Sequence, residues 1–329
     1  MKKLICLILV TIVLFLGGCG KEEVKQSNLG KEENPFNIQE NEKVDYSFGH
    51  GVINPDPEKR VLTYNDKDIS LIYELSNEQK ECSLGIMIFL NGVLHPYKAE
   101  GDKETTDMKV FKLGKNETKQ IPLSFKPVVG KKGDKLPVNF VVMLNPEIQK
   151  YNKNFKNFAH NQNITQLIPW KIEFLSDTNN NLEVSDIKDN KVKMDNEFKS
   201  KFIQKDRNGQ ERNRLDNMSF LSILVEGKKY NKSTLEIEKS LDKLSVQLYG
   251  GKPGKYRLMV FLDNEPIRVN GKNQLFDVDL EKDNITSVPL SLNKELIKGK
   301  SNLYVMAVPI GEQNIEYRDL LKTDSLVIY

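Results

Sequence analysis

From about residue 43 onward, short apolar runs alternate with polar turns at intervals of eight to twelve residues, the spacing of a chain built from strands. Residues 70–75 and 244–249 are short, β-prone and bounded by polar turns. The runs Gly85-Ile86-Met87-Ile88-Phe89-Leu90 and Arg257-Leu258-Met259-Val260-Phe261-Leu262 follow them. Residues 110–113 and 276–280 alternate apolar with polar, and 121–125 and 288–292 come next. Then come 138–144 and 303–308, with last strands at 167–174 and 325–329. Earlier strands near 44–48 and 219–225 bring the count to about seven in each half.

The two halves are copies. Met-x-Phe-Leu stands in both, and Pro96 and Gly101 are spaced like Pro266 and Gly271. Leu113 and Pro122-Leu123-Ser124 recur as Leu280 and Pro289-Leu290-Ser291. Val142-Met143 and Pro146 recur as Val305-Met306 and Pro309. Ordered anchors with length changes confined to polar stretches mark a duplication. Seven short strands in about a hundred residues resemble an immunoglobulin-like or fibronectin-III-like sandwich. The expected fold is therefore all-β, two tandem antiparallel β-sandwiches at 43–176 and 215–329. Between them, 177–214 is polar; Met194, Phe198 and Phe202 at four-residue spacing read equally as a short helix or as part of a partly ordered linker.

The start of the chain is different. Lys2 and Lys3 precede an apolar stretch from Leu4 to Leu16, which ends in Gly17-Gly18-Cys19. A basic start, a short apolar run and small residues make a secretory signal. The run is too short for a permanent membrane span, which needs about 20 apolar residues. Leu16-Gly17-Gly18-Cys19 resembles the lipobox of bacterial lipoproteins, a resemblance confined to residues 1–20. It implies cleavage after residue 18 and a diacylglyceryl group on the Cys19 sulfur. Residues 19–42, polar and charged, read as a tether. The expected location is the outer face of a cell membrane, of a Gram-positive type, held by the lipid on Cys19.

Composition narrows the function classes. The net charge of +3 includes Lys2 and Lys3, and a balance so close to neutral gives no reason to expect a nucleic-acid partner, which would need a concentrated basic face. Cys82 is the one cysteine beyond the leader and its end, which leaves no internal disulfide framework; it reads as a small buried hydrophobe, with a reactive thiol as the alternative. His50, His95 and His160 sit in no catalytic motif, and His95, before Pro96, reads as a solvated turn residue. Gly250-Gly251-Lys252-Pro253-Gly254-Lys255 reads as a hairpin turn and not a phosphate loop, since no Gly-Lys-Ser/Thr opens a helix. Asp177-Thr178-Asn179-Asn180-Asn181-Leu182-Glu183 resembles the start of a calcium loop, but Leu182 replaces its glycine and Lys188 its final carboxylate. A polar turn is the expectation there, with no metal and no cofactor.

One stretch has no counterpart in the second copy. Tyr151, Phe155 and Phe158 fall at i, i+4 and i+7, interleaved with Lys150, Lys153 and Lys156, which would give a helix an aromatic face. They are the candidate partner contact; alternatively they fold back on the sandwich. Trp170 reads as core. The leading expectation is a non-catalytic module that binds a protein, peptide or glycan, or scaffolds an envelope complex. The alternatives are a transporter's solute-binding lipoprotein, which would require alternating β and α segments, and a surface hydrolase.

Overall fold

The alternating and the continuous apolar runs form different layers of the same two sandwiches. A computed structural model describes residues 47–147, 164–166, 169–178, 184, 189–229, 234–235, 241–271, 274–311 and 320–329, all within one compact unit, Ile38–Tyr329. The lipobox-like segment with Cys19, the tether, and Tyr151, Phe155 and Phe158 lie outside the described residues.

The first copy contains β1 (Phe48–Asn54), β2 (Val61–Tyr64), β3 (Ile69–Asn77), β4 (Cys82–Leu90), β5 (Val93–Leu94), β6 (Lys98–Ala99), β7 (Lys109–Leu113), β8 (Glu117–Phe125), β9 (Lys135–Leu144), β10 (Ile164–Gln166) and β11 (Trp170–Phe174). One sheet has the order β1-β3-β8-β6. The other has β2-β11-β9-β4-β5, with β10 on β9 and β7 on β4. In chain order β1, β3, β4, β6, β8, β9 and β11 occupy the places of strands A to G of an immunoglobulin sandwich, A-B-E-D opposite C-F-G. Every pairing is antiparallel except β2 with β11.

The second copy contains β12 (Asn190–Lys193), a short helix α1 (Asn196–Ser200), β13 (Ile203–Lys205), β14 (Glu211–Asn213), β15 (Ser219–Val225), β16 (Lys228–Lys229), β17 (Thr234–Leu235), β18 (Leu244–Gly250), β19 (Gly254–Leu262), β20 (Glu265–Ile267), β21 (Phe276–Leu280), β22 (Asn284–Leu290), β23 (Ser301–Pro309), β24 (Leu321–Lys322) and β25 (Leu326–Ile328). Its larger sheet runs β17-β25-β23-β19-β20, with β24 on β23 and β21 on β19. This repeats the first copy strand for strand, down to the parallel pair β17 with β25.

Registers refine the sequence alignment. Met87 lies opposite Val141, whereas Met259 lies opposite Met306. Val141 is thus the counterpart of Met306, and Pro146 of Gly311. The pairing of Val142-Met143 with Val305-Met306 was two residues out, as was that of Pro96 with Pro266, because Leu94 and Pro266 hold the same place opposite Phe89 and Phe261. A two-residue slip keeps every side chain on its face, so alternation could not reveal it.

The Met-x-Phe-Leu runs are apolar throughout because β4 and β19 are buried on both faces, as strands covered on two sides are. Ile86, Ile88 and Leu90 enter the first core, and Leu258, Val260 and Leu262 the second. Met87 and Phe89 point the other way and join Met259, Phe261, Tyr304 and Met306 in a third cluster shared by the two copies. The large sheets therefore face each other across a buried apolar seam, with Phe261 stacked on Tyr304 at 5.0 Å. Cys82 and Trp170 are buried as expected, and Trp170 meets Phe140 edge-on.

Met194, Phe198 and Phe202 bracket a helix, as their spacing allowed. Asp195 caps it by accepting from the Phe198 amide. They pack with Leu215, Phe220, Tyr249 and Ile285 in a fourth cluster, covering the outer face of the β12-β22-β18-β15-β16 sheet. Two other expectations are corrected. The Gly250-Gly251 turn does not form a hairpin; it carries the chain from β18 in one sheet to β19 in the other. Gly250, at φ +77°, leaves no room for a Cβ, which would stand 2.6 Å from the Met218 carbonyl oxygen. His95 is buried, not solvated, because the chain after β5 folds inward beneath Phe125.

Candidate binding surfaces along the seam

Each copy lends a turn to the other. The β4–β5 turn, Asn91-Gly92, presents its Asn91 carbonyl to Arg257 Nη1 at 3.0 Å, and Asn91 Oδ1 accepts from the Gly311 amide at 3.1 Å. The corresponding β19–β20 turn, Asp263-Asn264, sends Asn264 Nδ2 to the Pro146 carbonyl at 2.9 Å. Since Pro146 and Gly311 are counterparts, the two contacts are related by a pseudo-twofold. It is broken where Arg257 replaces Gly85. Arg257 is nearly buried and grips Asp277 with two bonds, at 2.7 and 2.9 Å. A Cβ on Gly85 would collide with Met108 and Pro146.

At one end of the seam lies a cleft of ≈ 450 Å³ lined by Thr106, Asp107, Met108, Asp263, Asn264, Glu265, Pro266 and Gln274. It is acidic. Burial and the neighbouring Glu265 raise the Asp107 carboxyl above its ordinary range. Much of the remaining polar lining is engaged: Asp263 Oδ1 accepts from the Asn302 amide, Asn264 Oδ1 from the Tyr304 hydroxyl, and Gln274 donates to the Pro266 carbonyl. Such a cleft suits a cation or a hydroxylated group at its mouth. Among the described residues no group of three His, Cys, Asp or Glu side chains is placed to hold a metal ion.

The histidines serve packing. His50 Nδ1 lies 2.6 Å from the Tyr73 hydroxyl and Nε2 2.8 Å from Thr165 Oγ1, which ties β1 to β10. His95 Nε2 accepts from the Val128 amide at 3.0 Å. Burial pushes both imidazoles down to about 4. His160 lies outside the described residues. The Lys322 ammonium sits 4.5 Å from the Tyr304 ring centre and donates to Ser325 Oγ at 2.8 Å. Burial pushes it down to about 7.

The aromatic stretch at 151–158 falls in sequence between β9 and β10. Its roots flank the seam, since Pro146 receives the Asn264 bond and Ile164 packs against the shared cluster. Asp177 accepts from the Lys132 amide at 2.8 Å, as in a polar turn, while residues 179–183 lie outside the described residues. Sequence reasoning missed Arg257 and Asn91. Their one signal was a charge and a turn residue bordering the repeated apolar run.

No family model and no curated protein matches the chain. Among solved structures it is similar to the periplasmic chaperone SfaE, at 7% identity over 86% of this chain and 100% of that one, TM-score 0.21. It is also similar to the E. coli chaperone DraB, at 9% identity over 86% and 95%, TM-score 0.24. A third is a CARDB domain from Pyrococcus furiosus, at 13% identity over 40% and 87%, TM-score 0.23.

Proposed function

We propose that this chain is a surface lipoprotein, anchored to the membrane through a lipid on Cys19, which acts without catalysis as a binding or scaffolding module for a protein, peptide or glycan. The observation that carries the anchor is the basic, apolar, Leu-Gly-Gly-Cys order of its first nineteen residues. Two acyl chains on such a cysteine hold a protein stably where one holds it only marginally. Beyond the tether, the seam supports the binding reading. It packs two sandwiches against each other, and Pro146, which precedes the stretch holding Tyr151, Phe155 and Phe158 in sequence, accepts from Asn264 of the acidic cleft. Segments that connect strands are where sandwiches carry recognition.

The experiment has two arms. Full-length protein is expected to incorporate labelled lipid and to sediment with membranes, and Cys19→Ala to do neither; undiminished membrane retention of the variant overturns the anchor. Cross-linking on intact cells is expected to give discrete adducts that weaken in Phe155→Ala with Phe158→Ala. Identical adducts in both proteins overturn the contact stretch.

A further inference from the structure

The duplication provides its own template for a binding edge. In the second copy β12 adds to the outer edge of β22, with Asn190 opposite Ser287 and Lys193 opposite Asn284. Residues 113–124 and 280–291 align without a gap through Leu113 and Leu280 and through Pro122-Leu123-Ser124 and Pro289-Leu290-Ser291. The stretch 284–287 therefore corresponds to 117–120 on β8. There, among the described residues, the same edge is unpaired. β6 pairs only with Ser124 and Leu123, Glu100 donates to the Pro122 carbonyl, and among the described residues no strand adds to the outer side of 117–120.

Two differences define what this edge can accept. The apolar side chains that hold α1 over the second copy, Phe220, Tyr249 and Ile285, have Gly49, Ser76 and Thr118 as counterparts, so no covering helix is called for. The charge also changes. Beside β22 stand Asp279, Glu281 and Asp283, and two of them meet lysines: Lys191 reaches Glu281 at 2.6 Å and Lys199 reaches Asp283 at 2.6 Å. Their counterparts are Lys112, Gly114 and Asn116. Glu117 is taken by Lys119 at 3.1 Å, and Glu74 stands one strand inward, bonded to Gln120. Lys112 and Lys115 are exposed, and among the described residues neither has an ion pair.

We propose that the outer edge of β8 at residues 117–120 is a strand-addition site, and that its occupant is an extended acidic peptide segment laid antiparallel, as β12 lies on β22. Main-chain hydrogen bonds supply affinity in this mode, and alternate side chains supply selectivity. The proposal rests on the binding-module reading and names a site and a chemistry for it. Membrane partition and cross-linking through 151–158 depend on neither Lys112 nor Asn116, so the two readings can fail separately.

The test uses the full-length chain in detergent and fluorescein-labelled, end-capped six-residue peptides that alternate valine with aspartate or valine with lysine. Anisotropy is expected to show the aspartate peptide binding about tenfold more tightly than the lysine peptide. N-methylation of alternate backbone nitrogens in the aspartate peptide is expected to abolish binding. Lys112→Asp with Asn116→Asp, which introduces two of the second copy's three acidic charges at exposed positions, is expected to reverse the preference. Amide exchange at 117–120 is expected to slow on binding. Equal binding of both peptides, binding that survives N-methylation, or a double variant with unchanged preference each overturns the proposal.

Discussion

The guanidinium of Arg257 donates to the backbone carbonyl of Asn91 at 3.0 Å, across the seam between the two copies. The same group holds Asp277 with two further bonds, so one nearly buried side chain ties β19, β21 and the opposite copy's turn together. Arg257→Met keeps most of the stem volume and removes all three bonds. It is expected to destabilise the fold by about 1–3 kcal/mol in urea titration, because a part-buried carbonyl and a part-exposed carboxylate lose their partner. Gly92→Ala, at φ +77° with Ile310 Cγ2 2.5 Å from the new methyl, is expected to lower the midpoint as well. Loss under 1 kcal/mol in Arg257→Met, on the order of one neutral hydrogen bond, would show that the triad contributes little.

The shared cluster couples the copies. Phe261 lies in the second copy, stacked on Tyr304, while Trp170, the single tryptophan, lies in the first. Phe261→Ala is expected to cost about 3–5 kcal/mol. Tryptophan fluorescence and far-ultraviolet circular dichroism are expected to shift together to a lower midpoint. A fluorescence transition left in place while the dichroism moves would mean that the halves unfold independently.

Much of this architecture was legible beforehand. Strands such as β3, β8, β21 and β22 follow the period-two pattern, while β4, β9, β19 and β23 stand out as largely continuous apolar runs. Of the three residues at four-residue spacing, Phe198 lies in the helix Asn196–Ser200 and Met194 and Phe202 flank it. The seam was harder to see. A run such as that around Met87 and Phe89 is equally apolar whether its second face meets a helix, a sheet or a partner, and sequence does not say which. β12 was missed because all four residues, Asn-Lys-Val-Lys, are exposed; backbone pairing holds it, which leaves no hydrophobic trace. His95 was misjudged because a histidine before proline is usually at a turn, whereas here its ring fills space beneath Phe125.

The buried imidazoles set the acid limb of stability. His50 and His95, held down to about 4 by burial, bind fewer protons folded than unfolded between pH 4 and 6.5. Stability is therefore full above pH 6.5 and falls as the pH drops from there toward 4, each histidine contributing at most about 1.4 kcal/mol per pH unit. His95→Leu is expected to flatten that slope by about one proton. A slope identical to the parent's between pH 4.5 and 6 would exclude His95 from it.

Lys322 acts in the same direction at higher pH. Burial lowers its ammonium to about 7, so the unfolded chain binds the extra proton from there to about 10.4, and stability rises with pH across that window. Lys322→Met is expected to remove the rise and to raise the denaturation midpoint at pH 6. Its packing over Tyr304 would be retained by the thioether stem. A lower midpoint at pH 6 would show that the cation's attraction to the Tyr304 ring outweighs the penalty of burying it.

Asn139 is a polar side chain facing the seam for which no hydrogen bond is found among the described residues. It lies fully buried opposite Phe89, and neither its Oδ1 nor its Nδ2 finds a hydrogen bond among the described residues. Its counterpart in the second copy is Tyr304, whose hydroxyl does find one, on Asn264. A buried amide with nothing to bond costs about 1–3 kcal/mol, and leucine has nearly the same shape. Asn139→Leu is thus expected to stabilise the protein by about 1–2 kcal/mol in urea, whereas Asn139→Asp, which puts a carboxyl in the same buried place, is expected to destabilise it more at pH 7 than at pH 4. If Asn139→Leu were instead destabilising, the amide would be contributing to the alignment of β9 against the opposite sheet, and the seam would be more polar than its packing shows.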